Sequence, residues 1–306
     1  MRRGFADTPD GQVYYVEQGR GEPLLLLHQS PRSVSMWLDV MPLLADRHRV
    51  IAFDMLGYGD SDPPPVEGDE ADVAAMGRTA IHLIDALGIR QAHLCGLHTG
   101  AYVGAQAAAQ GGDRFRSLAL FGYPFIETDG EYEAFFARKV PAPARPLRTG
   151  RQADGSHLTS LWMAGYAQVQ KNWLLHGGPQ DTAADSENHR QPSPHRHAHL
   201  FMTEHELDVI ERYVFDSPRA RYMPQIYKVM IRPSADLLRR IAIPVRVVDL
   251  ETPHESSFCR RGARMTRVMP NLEAAQLVGH DDNICEFSPT VFVRELTDFL
   301  ARHPIG

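Results

Sequence analysis

The sequence predicts an α/β fold: a mostly parallel central sheet flanked by helices, with an inserted helical cap. Three observations predict it. Pro23-Leu24-Leu25-Leu26-Leu27 is an unbroken apolar run, the mark of a strand covered on both faces and so of a central parallel sheet. Strand-like and helix-like segments then alternate from Leu24 to Gly122, which demands right-handed crossovers. Between Tyr123 and about Arg240 the pattern changes to helical segments separated by polar or proline-rich stretches. The expected division is a core of residues 1–122 and 241–306 with a cap of residues 123–240.

The elements follow in order. Gln12-Val13-Tyr14-Tyr15-Val16-Glu17 alternates like an edge strand, and Gly19-Arg20-Gly21 turns it. Trp37 to Ala45 reads as an amphipathic helix and His48 to Asp54 as the next strand. Ala71 to Leu87 is a helix with apolar Val73, Met76, Ala80, Leu83, Ile84 and Leu87, stopped by Gly88. Ala92 to Cys95 is a short buried strand. Gly96 to Gly100 is a tight turn, and the small residues from Ala101 to Gln110 form a helix able to lie close to a sheet. Phe115 to Gly122 is another strand. In the cap, Pro141 to Pro146 is a linker, and Leu158 to Leu175, Glu204 to Phe215 and Arg219 to Met230 are helices. Asp181 to His199 is polar and holds His189, His195, His197 and His199, whose irregular spacing suits a solvated segment better than a metal site. Ile243 to Val248 returns to the sheet, and a helix from Thr290 to Ala301 closes the chain.

The chain has 306 residues, 43% of them hydrophobic, and a formal net charge of -6, which suits one large domain or a core with an insertion. Cys95, Cys259 and Cys285 form no metal or redox motif, and their odd number argues against a disulfide framework. Reduced, cytoplasmic life is expected. There is no 18-residue apolar run, so no membrane span is expected. Met1-Arg2-Arg3 has no apolar segment behind it to make an export signal. The acidic balance gives no support for nucleic-acid binding. A small-molecule substrate is the expected partner, and the sequence leaves the oligomeric state open.

Gly96-Leu97-His98-Thr99-Gly100, between a strand and a helix, has the context of a nucleophile elbow, G-x-S-x-G. The apex of such a turn sits at a strained positive φ, and the residues two positions either side must lack bulk. Here His98 stands at the apex. Histidine is among the few non-glycine residues enriched at positive φ, so the exchange is sterically sound and chemically drastic. His28-Gln29 follows the first central strand, and Asp54-Met55-Leu56-Gly57-Tyr58-Gly59-Asp60-Ser61 matches D-x-x-G-x-G-x-S. Gly279-His280 follows late in the chain.

These motifs together resemble the α/β-hydrolase superfamily along nearly the whole chain. The resemblance implies an α/β-hydrolase fold with a helical cap after the sixth strand and a site at the C-terminal ends of the strands. It makes His280 a general acid/base. It makes the backbone N–H groups of Gln29 and Thr99 oxyanion donors, although Gln29 stands where Gly is usual after His28. Asp54 is then structural. The acid that orients the histidine usually follows the strand Ile243 to Val248. Glu251 is the best candidate there, with Asp249 and Glu255 behind it. Arg32 reads either as a surface residue or as a clamp for a substrate carboxylate or developing anion. The Thr99 side chain should point away from the pocket, and Cys95 reads as core.

His98 leaves four readings open. It acts as base or nucleophile beside His280 in a hydrolase of a small ester- or lactone-like substrate, without a cofactor. The fold instead performs non-hydrolytic chemistry, as a lyase, decarboxylating enzyme, isomerase, cyclase or cofactor-free oxygenase. His98, His280 and a carboxylate bind a metal. Catalysis is lost and the protein binds a ligand. The first is the expectation taken forward, with no metal and no cofactor.

Overall fold

In the computed structural model, residues 1–64, 73–133, 153–176, 202–220, 233–251 and 262–306 are described. The linker at 141–146, the histidine-rich stretch at 181–199, Glu255, Cys259 and most of the helix expected from Arg219 to Met230 lie outside them.

Eight strands form one sheet: β1 (Arg2–Thr8), β2 (Gly11–Gln18), β3 (Glu22–Leu27), β4 (His48–Phe53), β5 (Ala92–Leu97), β6 (Phe115–Phe121), β7 (Val245–Glu251) and β8 (Leu272–Val278). Their order is β1-β2-β4-β3-β5-β6-β7-β8. β1 and β2 pair antiparallel, as do β2 and β4. Every later pair is parallel, so the loops after β3 to β8 all leave the same edge of the sheet.

Leu24 to Leu27 are fully buried, as a strand covered on both faces requires. Side chains alternate across the sheet. Leu25 and Leu27 therefore join a cluster with Leu83 and Tyr102, while Leu24 and Leu26 pack with Trp37, Phe292 and Phe299. The helices that cover these faces are α1 (Met41–Leu44), α2 (Val73–Ala86), α3 (Thr99–Gly111) and, from the end of the chain, Pro289–Leu300.

Two expectations change. The strand read from Gln12 to Glu17 is not an edge, because β1 lies outside it in the register Asp7↔Gln12 to Arg2↔Glu17. β1 buries only Ala6, so it carries almost no apolar signal. The helix read from Trp37 to Ala45 is broken into a 3-10 turn, Val34–Trp37, and the short α1, which starts at Met41 with Pro42 in its first turn.

The chain divides into two compact units, Met1–Arg148 with Asp216–Gly306, and Thr149–Phe215. The second unit falls inside the stretch 123–240 expected as the cap, and the flanking parts of that stretch group with the first unit. Tyr123, Phe125 and Ile126 belong to the same buried cluster as Leu237 and Leu238, and Ile126 bridges Pro233. Within the second unit, α4 (Ser156–His176) and the helix α5 (Glu204–Asp216) approach closely at Gly165, where a Cβ would stand 3.1 Å from Ile210 Cγ2.

Candidate active site

The turn between β5 and α3 is built around its apex. His98 has φ 50° and ψ -107°, and among the described residues it is the one non-glycine residue at positive φ. Such a conformation costs about 1–3 kcal/mol. Its neighbours leave no choice. A Cβ on Gly96 would lie 2.2 Å from the Gly100 carbonyl oxygen, and one on Gly100 would lie 2.0 Å from that of Leu27. The apex is pinned to the sheet by His98 N–H donating to the Phe121 carbonyl at 2.9 Å. The His98 ring is half-buried, with Nδ1 3.4 Å from Thr99 Oγ1. Thr99 opens α3, so its N–H has no carbonyl four residues back to bond.

The loop after β3 reaches this turn, but not as the sequence suggests. The N–H of Gln29 points at Met36 Sδ, 3.4 Å away, a weak acceptor in the core. The amide that reaches the turn is the next one: Ser30 N–H donates to Thr99 Oγ1 at 3.3 Å. Ser30 Oγ in turn lies 2.5 Å from the Tyr58 hydroxyl. Gln29 is therefore corrected as a backbone donor to the site, and Ser30 is the residue missed.

His28 is also corrected. It is fully buried, with Nδ1 3.0 Å from the Gln29 carbonyl and Nε2 accepting from Met55 N–H at 3.0 Å. Both ring nitrogens are used by backbone, and burial lowers its pKa to about 4. It is a neutral latch between the loops after β3 and β4, not a substrate ligand. Asp54 is structural, as expected. It accepts from Val34 N–H at 2.7 Å and Asp60 N–H at 2.9 Å, and burial still raises its carboxyl to about 7. Gly59 is obligatory beside it, because a Cβ would fall onto its carboxylate.

Arg32 is neither a surface residue nor a free clamp. It is 1% exposed, and its guanidinium donates to both oxygens of Glu286, at 2.7 and 2.5 Å, and to Asp216 at 3.1 Å. Burial alone would lower its pKa, but the two carboxylates outweigh this and raise it. Asp216, the last residue of α5, also accepts from Ser33 Oγ and Ser35 Oγ, both at 2.6 Å. The cation is consumed by these partners, which lie 184 and 254 residues away and left no mark in the local sequence.

His280 follows Gly279, which turns the chain at φ 81° after β8. Gly279 N–H donates to the Glu251 carbonyl at 2.8 Å, so the end of β7 and the histidine turn are tied together. The Glu251 carboxylate accepts from Gln276 Nε2. The runner-up, Asp249, accepts from the Gly262 N–H at 2.9 Å. After His280, Asp281 accepts from Asn283 N–H at 2.9 Å, and Asn283 leads into the short helix Ile284–Phe287 that carries Glu286. Gln29 Nε2 donates to the Asp282 carbonyl at 3.0 Å. One bonded network thus joins the loops of Gln29 and Ser30, of His98 and Thr99, and of His280.

Among the described residues no three His, Cys, Asp or Glu side chains form a set able to hold a metal ion, so His98, His280 and Glu251 do not assemble as ligands. Cys95 and Cys285 are free and buried, and burial raises both thiols. Among the described residues no helix is long and apolar enough to cross a membrane.

A mostly parallel eight-stranded sheet with a strained strand-to-helix turn at its C-terminal edge defines the class of α/β-hydrolase folds. Residues 22–199 match the family model described as alpha/beta hydrolase fold, and the chain belongs to that family. It is 34% identical over 141 residues to a fluoroacetate dehalogenase of a Burkholderia species, covering 45% of this chain and 46% of that one. It is 38% identical over 109 residues to the 2-hydroxymuconate semialdehyde hydrolase of Pseudomonas sp. strain CF600, covering 35% of this chain and 38% of the other. The chain thus matches less than half the length of these curated relatives. Among solved structures it resembles the enol-lactonase from Burkholderia xenovorans LB400, with TM-score 0.67 and 17% identity over 97% of this chain and 100% of that one, a likeness of fold.

Proposed function

We propose that this protein is a cofactor-independent hydrolase of a small ester- or lactone-like carbonyl substrate, with His98 and His280 as its acid/base pair. The observation that carries this is the elbow itself. A turn that forces His98 to φ 50° and excludes a Cβ at Gly96 and Gly100 is costly to keep unless the apex side chain is used. The relatives, among them a dehalogenase and a hydrolase, support the broad class.

In this reading water attacks the carbonyl carbon as one imidazole takes its proton. The amide of Thr99 receives the oxyanion. The other imidazole gives its proton to the leaving oxygen as the acyl–oxygen bond breaks. Glu251 fixes the tautomer of His280. The missing apex hydroxyl favours a second reading, in which the two imidazoles move protons without adding water.

A panel of esters and lactones in metal-free buffer tests both, using wild type, His98→Ala, His280→Ala and His98→Ser. Loss of about 100-fold or more in each alanine variant, with oxygen from labelled water in the product, is expected for the hydrolase. Full turnover in either alanine variant sinks the two-imidazole site. A product free of solvent oxygen selects the second reading.

A further inference from the structure

Gln29 carries a side chain that its backbone role does not need. Its Nε2 donates to the Asp282 carbonyl at 3.0 Å, which fixes the amide orientation, because a carbonyl only accepts. Gln29 Oε1 is then left buried with no donor, and so is Oδ1 of Asp282. Gln29 is 4% exposed. Two buried acceptors without donors, one of them on a carboxylate, require an explanation. The backbone around both residues is held. Arg32 N–H holds the Gln29 carbonyl at 2.9 Å, and the Arg32–Glu286 pair clamps the loop after β3 to the helix behind Asp282. In the chain both residues neighbour the proposed chemistry: Gln29 precedes the Ser30 amide, and Asp282 lies two residues beyond His280.

We propose that Gln29 and Asp282 form a polar subsite that accepts hydrogen bonds from a hydroxyl or amino group carried by the substrate beside its reacting carbonyl. The proposal rests on the carbonyl-substrate reading above and narrows it to donor-bearing acyl compounds. A site built of acceptors rejects a substrate lacking the donor, because the buried acceptors then stay unsatisfied.

The test compares 4-nitrophenyl butyrate with its 3-hydroxy and 3-amino derivatives. It also measures, by calorimetry, binding of the matching methyl ketones, which cannot be hydrolysed. Wild type is expected to prefer the donor-bearing esters about tenfold or more in kcat/KM, and the matching ketones to a similar degree in Kd. In Gln29→Met and Asp282→Leu the preference falls towards one. A hydroxyl preference with no gain for the amine assigns neutral recognition; the reverse assigns the Asp282 charge. Equal turnover of plain and donor-bearing esters by wild type overturns the subsite and leaves the hydrolase standing. No turnover, but tenfold tighter binding of the donor-bearing ketones, overturns the hydrolase and keeps the subsite. Equal binding of all ketones overturns the subsite in either case.

Discussion

Arg32 and Glu286, 254 residues apart in the chain, meet in two parallel N–H···O bonds of 2.7 and 2.5 Å with both side chains 1% exposed. Arg32→Met should cost about 3–5 kcal/mol, because Glu286 and Asp216 would be left as buried anions. Arg32→Met with Glu286→Leu should recover most of it, since Asp216 keeps the hydroxyls of Ser33 and Ser35. Urea midpoints of the three proteins decide the matter. A single variant as stable as wild type would mean that the clamp holds nothing.

Gly100→Ala should destabilise by about 1–3 kcal/mol or more, because its Cβ would meet the backbone oxygens of Leu27 and His28, not the yielding end of a side chain. Gly104→Ala, on the same helix, meets only Leu118 Cδ1 at 3.4 Å. It should be neutral or stabilising by about 0.5–1 kcal/mol through helix propensity. Thermal melts of the pair give the comparison, and equal melting temperatures would show that the elbow has more slack than its geometry allows.

His28 and Asp54 make opposite demands on pH. Burial lowers His28 from 6.5 to about 4, so its contribution is present above pH 6.5 and is lost as pH falls from 6.5 through 4. Burial raises Asp54 from 3.8 to about 7, so its contribution is present below 3.8 and is lost as pH rises through 7. Across the shared window the two nearly cancel. His28→Gln keeps one donor and one acceptor but removes the histidine part. Relative to wild type, its stability should fall as pH rises from about 4 to 6.5, by up to about 3 kcal/mol. Urea midpoints at both ends of that window supply the check; parallel pH slopes for the two proteins would refute it.

Cys95 and Cys285 are buried with their thiols raised, so they should be inert in the native protein. In a Cys259→Ser background, Ellman's reagent should release no colour until urea is added, and then two equivalents. Rapid reaction in native buffer would show that the fold opens around β5 or around the helix Ile284–Phe287.

The apolar run at Leu24 to Leu27, the glycines of the elbow and the Asp54 loop were legible in the sequence because each states a local physical need. A strand covered twice has no polar face, and a backbone crossing that would put an added Cβ 2.0 Å from the Leu27 carbonyl oxygen demands glycine. β1 was not legible, since an edge strand that buries Ala6 alone carries almost no pattern. Nor was the fate of Arg32. The residues that absorb its charge, Asp216 and Glu286, come from distant parts of the chain, and each reads locally as an ordinary helix carboxylate. The exchange of Gln29 for Ser30 as the amide facing the turn is a matter of one residue of loop geometry, which no spacing rule resolves.

The elbow places its cost in backbone, at Gly96, Gly100 and the dihedrals of residue 98; the glycine crossings do not depend on the apex side chain, and the dihedral cost asks only for a residue that tolerates a positive φ. The scaffold and the reagent are therefore separable for evolution. A lineage can exchange the group presented at position 98 in a single step while the sheet, the crossing and the flanking loops go on folding unchanged.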